Sequence, residues 1–226
     1  MTVGFLLHSR PYRETSLLLS FFTDTDGRVD IIGRAARGSA KKRSSVPVLF
    51  SPYDVSWSGK SELKHLLHCE SVQSVFQLTS KSLYCGLYVN ELTYRLLPKH
   101  DAEPEFFQSY NDTLCGLMNA QALEPCLRMF ELSLLKAIGY GLSLDRDCYG
   151  ASVDPDSFYI YIPERGLQLS TAQEAQCCIG GLGEWFLAID SGDYHELAVM
   201  QLAKKLLRAA LSLYLGSRPL QSRELF

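Results

Sequence analysis

No uncharged run in this chain exceeds eleven residues; the longest is Thr113 to Leu123. A membrane-spanning helix needs about 20 apolar residues, so none is expected. Val3 to Leu7 is too short for the apolar core of a signal peptide, and no basic stretch precedes it. Cysteine pairs at Cys-x-x-Cys spacing are missing. The seven cysteines (Cys69, Cys85, Cys115, Cys126, Cys148, Cys177, Cys178) are odd in number and irregularly spaced. They read as reduced thiols of a cytoplasmic protein, mostly small core residues. A Gly-x-Ser-x-Gly elbow is also lacking. Ser58-Gly-Lys-Ser61 looks like the tail of a phosphate-binding loop, but that pattern requires glycine at position 54 and Asp54 stands there. His65 and His68 would point to opposite faces of a strand and could not share a metal ion. No catalytic residues, metal or cofactor are therefore expected, and the chain reads as a non-enzyme.

What is present suits a globular chain with a substantial core. Of the 226 residues, 46% are hydrophobic and 21% charged. The net charge is −3 and the pI about 6.0. These averages hide an asymmetry. Residues 1–80 carry ten Lys/Arg against seven Asp/Glu, and residues 81–226 carry twelve against eighteen. A basic front on an acidic body makes a local anion-binding surface possible.

The first 75 residues read as strands: Val3 to His8, Ser16 to Phe22, Arg28 to Ala36, Val46 to Trp57 and Glu62 to Val75. Asp26-Gly27 supplies a hairpin turn, and Pro52 favours an edge or a bulge. Five short strands without crossover helices suggest a small antiparallel barrel. From Thr79 the period becomes helical. Thr79 or Ser80 caps a first helix that Pro98 stops. Pro104 opens a second helix reaching Met118. Pro125 opens a third with Leu127, Phe130, Leu134 and Ile138 on one face, ended by Gly139 or Gly141. A fourth runs from Tyr194 to Leu215. Residues 142–190 read as irregular, with a strand at Phe158 to Ile162 and a helix near 171–179. The expected fold is thus α+β: a barrel over residues 1–78, then a mainly helical domain over 79–226.

Residues 33–45, Gly-Arg-Ala-Ala-Arg-Gly-Ser-Ala-Lys-Lys-Arg-Ser-Ser, are the most informative stretch. They hold Arg34, Arg37, Lys41, Lys42 and Arg43, with no acidic residue from Ile31 to Tyr53. Guanidinium and ammonium groups on a Gly/Ser-rich chain can follow a phosphate backbone and displace its counterions. The same composition serves an ordinary solvated loop. Phe21, Phe22, Tyr53 and Trp57 fall nearby, but barrel core is an equally good use for them. Arg128 sits in the first turn of the third helix, beside its apolar stripe, and the preceding helix offers Phe106 and Phe107. An arginine next to an apolar groove suits a peptide ending in an apolar residue and a free carboxylate. A salt bridge to Glu124 or Glu131 is the plainer use.

Several segments carry a resemblance. They are Leu7-His-Ser-Arg-Pro-Tyr-Arg-Glu-Thr-Ser-Leu17, Phe22-Thr23 with Gly27-Arg-Val29, Gly33-Arg-Ala-Ala-Arg-Gly38, and Trp57-Ser-Gly with Glu62-Leu-Lys64. Further on come Tyr84-Cys-Gly-Leu-Tyr-Val-Asn-Glu-Leu92, Leu127-Arg-Met-Phe-Glu-Leu132, Gly139-Tyr-Gly141 and Arg218-Pro-Leu-Gln-Ser-Arg-Glu-Leu-Phe226. The chain resembles the bacterial recombination mediator and DNA repair family RecO over nearly its whole length. The resemblance implies an N-terminal OB barrel followed by a helical domain. It implies binding of single- and double-stranded DNA, annealing of complementary strands, and cooperation with RecR in helping RecA replace single-stranded DNA-binding protein (SSB). It further implies capture of the acidic SSB C-terminal tail by Arg128, in a cytoplasmic, nucleoid-associated protein; the helices containing Phe106, Phe107, Leu127 and Phe130 offer an apolar pocket for it. Many relatives carry a four-cysteine zinc site after Gly-Tyr-Gly; here Cys148 stands alone and Cys177-Cys178 are adjacent, so no zinc is expected. The sequence given ends at Arg-Glu-Leu-Phe, where some relatives continue with a basic tail, which puts in doubt any DNA contact that relies on such a tail. An alternative of another class is an interaction adaptor whose barrel binds protein rather than DNA.

Overall fold

The computed structural model of the protein describes residues 1–34, 47–119 and 123–225. The order of elements is β1 (Val3–Tyr12), β2 (Ser16–Thr23), β3 (Gly27–Arg34), β4 (Pro52–Ser58), β5 (Lys64–Ser71), α1 (Ser80–Leu96), α2 (Pro104–Leu117) and α3 (Leu123–Ala137). These are followed by β6 (Phe158–Ile162), β7 (Gly166–Ser170), α4 (Ala172–Cys177), β8 (Gly180–Leu182), α5 (Gly183–Ser191), α6 (Leu197–Leu215) and a short 3₁₀ turn, Gln221–Leu225. The change from strands to helices falls between Ser71 and Ser80. By compactness the chain forms two units: residues 1–121 with 220–226, and residues 122–219.

In the first unit β1-β2-β3-β5-β4 close into a barrel, OB-like in strand order, with β1 hydrogen-bonded to β4. The third connection is the parallel pairing of Ile31 and Ile32 with Lys64 and His65. Pro52 opens β4, where its missing N–H costs least, so the fourth strand starts later than the apolar pattern alone suggests. Leu6, Leu19, Phe21, Val29, Ile31, Tyr53 and Val55 fill the interior. Phe21 and Phe22 are both fully buried, on opposite faces of β2. Phe21 faces inward and meets Tyr53 edge-on at 6.3 Å. Phe22 packs outside, against Phe106, Phe107 and Tyr110 of α2 at 5.2–5.7 Å.

The register of β1 against β2 shifts between Leu6 and His8, leaving Leu7 without a partner. Such a bulge breaks the ladder locally. Asn90 of α1 answers it: its Nδ2 donates to the carbonyls of Leu6 and Leu7 at 3.4 and 3.5 Å. The buried Tyr110 hydroxyl donates to Asn90 Oδ1 at 2.6 Å and so fixes the amide's orientation. The α1–α2 connection is tied to β3 by His100 N–H to Arg28 O at 3.1 Å and Arg28 Nε to Leu97 O at 2.9 Å. Gly27 is required beneath it, because a Cβ there would lie 1.9 Å from Asp101 O.

The chain's last residues return to this unit. Glu91 accepts from the N–H groups of Gln221 (2.9 Å) and Ser222 (2.8 Å) and from the Ser222 hydroxyl (2.6 Å). Its carboxylate thus caps the 3₁₀ turn. Burial works against its ionisation, but the bonds from Ser222 and Gln221, with Arg95 nearby, hold its pKa below the usual 4.5.

In the second unit α3 packs on α6, and β7-β6-β8 form a small sheet. The strand at 158–162 and the helix near 171 lie where the sequence places them. The short β7, β8 and α5 are additional. Gly183 opens α5 against the Asp154 carbonyl, 2.0 Å from where a Cβ would stand, so local glycine enrichment masks a helix start.

Two measurements check this account. Asn90→Leu leaves the Leu7 carbonyl buried without its donor, and Tyr110→Phe removes the bond that orients Asn90; each is expected to cost about 1–3 kcal/mol in urea unfolding, with an unchanged slope. Glu91 has a lowered pKa when folded, so its contribution is present above pH ~4.5 and is lost as pH falls through the folded value. Amides of 220–225 should lose hydrogen-exchange protection on acidification, after correction for intrinsic rates, and Glu91→Gln should abolish that pH dependence.

Candidate nucleic-acid interface

Paired residues of adjacent antiparallel strands point to the same side of a sheet. Beyond the bulge, β1-β2-β3 therefore align the outward rows His8–Ser20–Asp30, Arg10–Leu18–Ile32 and Tyr12–Ser16, the last with the backbone of Arg34 in register. The first row is occupied by the protein itself. The His8 ring stacks on Tyr94 of α1 at 5.0 Å. Asp30 accepts from Ser20 Oγ at 2.6 Å and pairs with Lys99 Nζ at 3.0 Å, and Lys99 also reaches Glu62. Burial disfavours the Asp30 anion, yet the Ser20 bond and Lys99 hold its pKa below the ordinary value. The His8 pKa is lowered, first by burial and then by Arg10, against the pull of Asp30. At neutral pH it is uncharged. Arg28 is likewise committed, lying over the Tyr94 ring at 5.3 Å while bonded to Leu97 O.

In the remaining rows Leu18 is buried, and Tyr12, Ser16 and Ile32 are partly buried. Arg10 and Arg13 are exposed, and Arg13 lies over the Tyr12 ring at 5.3 Å. Arg10 has no ion pair among the described residues. Across the strands Tyr12 and Arg34 are two strand spacings apart, about 10 Å. The chain leaves the barrel at Arg34 toward the basic stretch of the sequence. Arg37, Lys41, Lys42 and Arg43 lie outside the described residues, as does the side chain of Arg34. What the structure adds to them is Arg10, Tyr12 and Arg13, cations interleaved with an aromatic ring. Their signal, Arg-Pro-Tyr-Arg, was legible as composition, but only the strand register aligns it with Arg34. Phe21, Phe22 and Tyr53 are spent on the core, and Trp57 packs against the barrel interior.

The second group of sequence-derived residues divides between the units. Phe106 and Phe107 belong to the first, where their rings contact Phe22, and Phe107 also meets Phe5 at 5.6 Å. Leu127, Arg128 and Phe130 belong to α3 in the second unit and are all buried. Because α3 begins at Leu123, Arg128 falls in its second turn rather than its first. Its Nη1 lies 3.0 Å from Glu131 Oε2. Its Nε has no hydrogen-bond acceptor among the described residues. Tyr194 lies within the electrostatic reach of both; burial pushes its hydroxyl up to about 12, with Arg128 pulling the other way.

Among the described residues no group of three His, Cys, Asp or Glu side chains could hold a metal ion, and no helix is long and apolar enough to cross a membrane.

Comparison with known proteins agrees over the full chain. Residues 1–75 match the family model for the recombination protein O N terminal, and residues 77–224 that for its C terminal. A DNA repair protein RecO of Pseudomonas paraeruginosa is 42% identical over 224 residues, covering 98% of this chain and 92% of that protein. Those of Haemophilus influenzae and Pasteurella multocida are 40% and 39% identical, each covering 99% of this chain and 94% and 92% of theirs. The chain belongs to the RecO family, and its role is in DNA repair and recombination.

The interface makes a measurable claim. Each single-strand phosphate neutralised contributes about −0.7 to the log–log salt slope. Replacing Arg10 and Arg13 by alanine should reduce the slope for a short oligonucleotide by up to about 1.4, and replacing all five basic residues from Arg34 to Arg43 by up to about 3.5. The loss should be similar for all sequences, because phosphate contacts carry little base information. An unchanged slope in either variant removes that group from the interface.

Proposed function

We propose, from the chain's place in this family and from the exposed Arg10 and Arg13 beside Tyr12 on its barrel, that it is a DNA-binding recombination mediator. It anneals complementary single strands and, together with RecR, helps load RecA onto DNA coated by SSB, at the nucleoid in the cytoplasm. The observation that carries this reading is the row Tyr12–Ser16–Arg34. It brings exposed Arg10 and Arg13, with the half-buried Tyr12 between them, into register with the start of the segment holding Arg37, Lys41, Lys42 and Arg43. Two complementary strands repel through their phosphates. Cations on the barrel and its basic segment lower that repulsion, and counterion release drives the association. Pairing is then downhill, so no nucleotide is hydrolysed and no catalytic group is needed. Double-stranded DNA offers the same phosphates and binds to the same surface.

Recruitment to coated DNA uses Arg128. A peptide that ends in an apolar residue brings its own terminal carboxylate. The buried Nε of Arg128 is a donor awaiting an acceptor, and leaving such a donor unmet costs about 1–3 kcal/mol. A carboxylate beside it satisfies the guanidinium in the forked geometry that lysine cannot offer. Leu127 and Phe130 supply apolar neighbours on the same helix.

The test is annealing of SSB-coated complementary strands with and without the protein. Wild type is expected to accelerate it. Arg128→Ala should weaken binding of a labelled SSB tail peptide by about 10- to 150-fold, or about 1.5–3 kcal/mol, and slow annealing on coated strands only. Naked-strand binding should be unchanged. No acceleration by the wild type, with no salt-dependent oligonucleotide binding, would leave a protein-binding adaptor instead.

A further inference from the structure

The second unit contains a cleft of about 410 Å³ between the end of α3, the β6–β7 turn and the end of α6. This lies within the ~300–1,000 Å³ typical of ligand sites. Its wall is aromatic. Tyr140, in the Gly-Tyr-Gly that follows α3, is half exposed, and its ring stacks on Tyr214 with centroids 3.9 Å apart and planes 22° from parallel. Tyr161 is buried beside them. Charged groups complete the lining: Arg146 from the loop after α3, and Glu164 and Arg165 from the β6–β7 turn.

These charges are unequally committed. Asp147, which also lines the cleft, accepts the N–H groups of Tyr149 and Ala151 at 2.9 Å each and is spent on its own loop. Arg146 donates to Gly150 O at 3.2 Å and lies 3.7 Å from Asp145, which leaves guanidinium donors over. Arg165 is exposed and has no side-chain partner among the described residues. The Tyr161 and Tyr214 hydroxyls are pushed up first by burial and, further down, by the Glu164 carboxylate, which places that carboxylate near both. The cleft therefore offers a planar aromatic face, guanidinium donors and one acceptor-only group. An inorganic anion would use only the arginines. A lone cation would meet two guanidinium groups. An apolar peptide would leave Arg165 and Glu164 idle.

A nucleotide uses all three features, with a ring for Tyr140, base-edge N–H donors for Glu164 and a phosphate for Arg165 and Arg146. We propose that this cleft holds one unpaired nucleotide of a single DNA strand. The proposal rests on the DNA-binding reading above and gives the chain a second nucleic-acid contact, distinct from the barrel. A protein that brings two strands together needs more than one such contact.

The experiment is photocrosslinking of the full-length protein to a short oligonucleotide carrying iodouracil, with the crosslinked peptide mapped by mass spectrometry. Crosslinks are expected at Tyr140 or Tyr214. Tyr140→Leu should reduce them about fivefold or more, Tyr140→Phe should retain them, and Arg165→Ala should reduce them. Crosslinks confined to residues 1–121, while the oligonucleotide is bound, overturn the second contact and leave the barrel reading intact. Absence of any salt-dependent binding overturns both.

Discussion

The unpaired residue Leu7 is the constraint around which the first unit is organised. A barrel strand that skips one partner must expose or satisfy a backbone carbonyl, and here the surroundings are apolar. Asn90 satisfies it and Tyr110 holds Asn90, so α1 and α2 are fastened to β1 through one short chain of hydrogen bonds. The same helices cover the outer face of β2, with Phe22 enclosed by Phe106, Phe107 and Tyr110. The barrel and its two helices thus share one core. Glu91, one residue beyond Asn90, adds the C-terminal turn to the same helix.

Past the bulge the barrel's charges fall into two groups. The charges near the helices are neutralised internally: Asp30 with Lys99, Lys99 with Glu62, and Arg28 with a carbonyl and a tyrosine ring. Those farther out, Arg10 and Arg13, are not. This division answers the overall negative charge of the chain. Net charge governs long-range attraction, whereas contact with phosphate depends on cations that have no internal partner. A chain at −3 can bind a polyanion when its uncommitted cations are gathered on one face.

The second unit uses charge differently. Arg128 and Glu131 are buried together on α3, where neither is screened by water. Removing one partner of such a pair is costly, because the other charge is left buried alone. At the other end of α3, the Tyr140–Tyr214 stack leaves one aromatic face in contact with water beside two guanidinium groups. One helix thus carries a buried cation near its start and an open aromatic platform just past its end.

The sequence by itself determined the local choices. Strand periodicity, Asp26-Gly27 and the prolines at 52, 98 and 104 fixed where strands turn and helices start or stop, since these effects act within a few residues. The run from Arg34 to Arg43 was legible as a concentration of cations, and the motif spacing over the whole chain as family membership. Only the tertiary structure decided which of two identical neighbours does what. Phe21 and Phe22 differ by the face they occupy, and both faces of β2 are buried only because α2 covers one. Phe106 and Phe107 suited an apolar groove equally well on paper, but Phe106 is fully buried against Phe22, while Phe107 packs on Phe5 and Phe22 and stays partly exposed. Arg10 and Tyr12 joined Arg34 through a register set by the bulge at Leu7, a relation between residues more than twenty apart. Periodicity reports which face of its own element a side chain occupies; it carries no information about what another element places against that face.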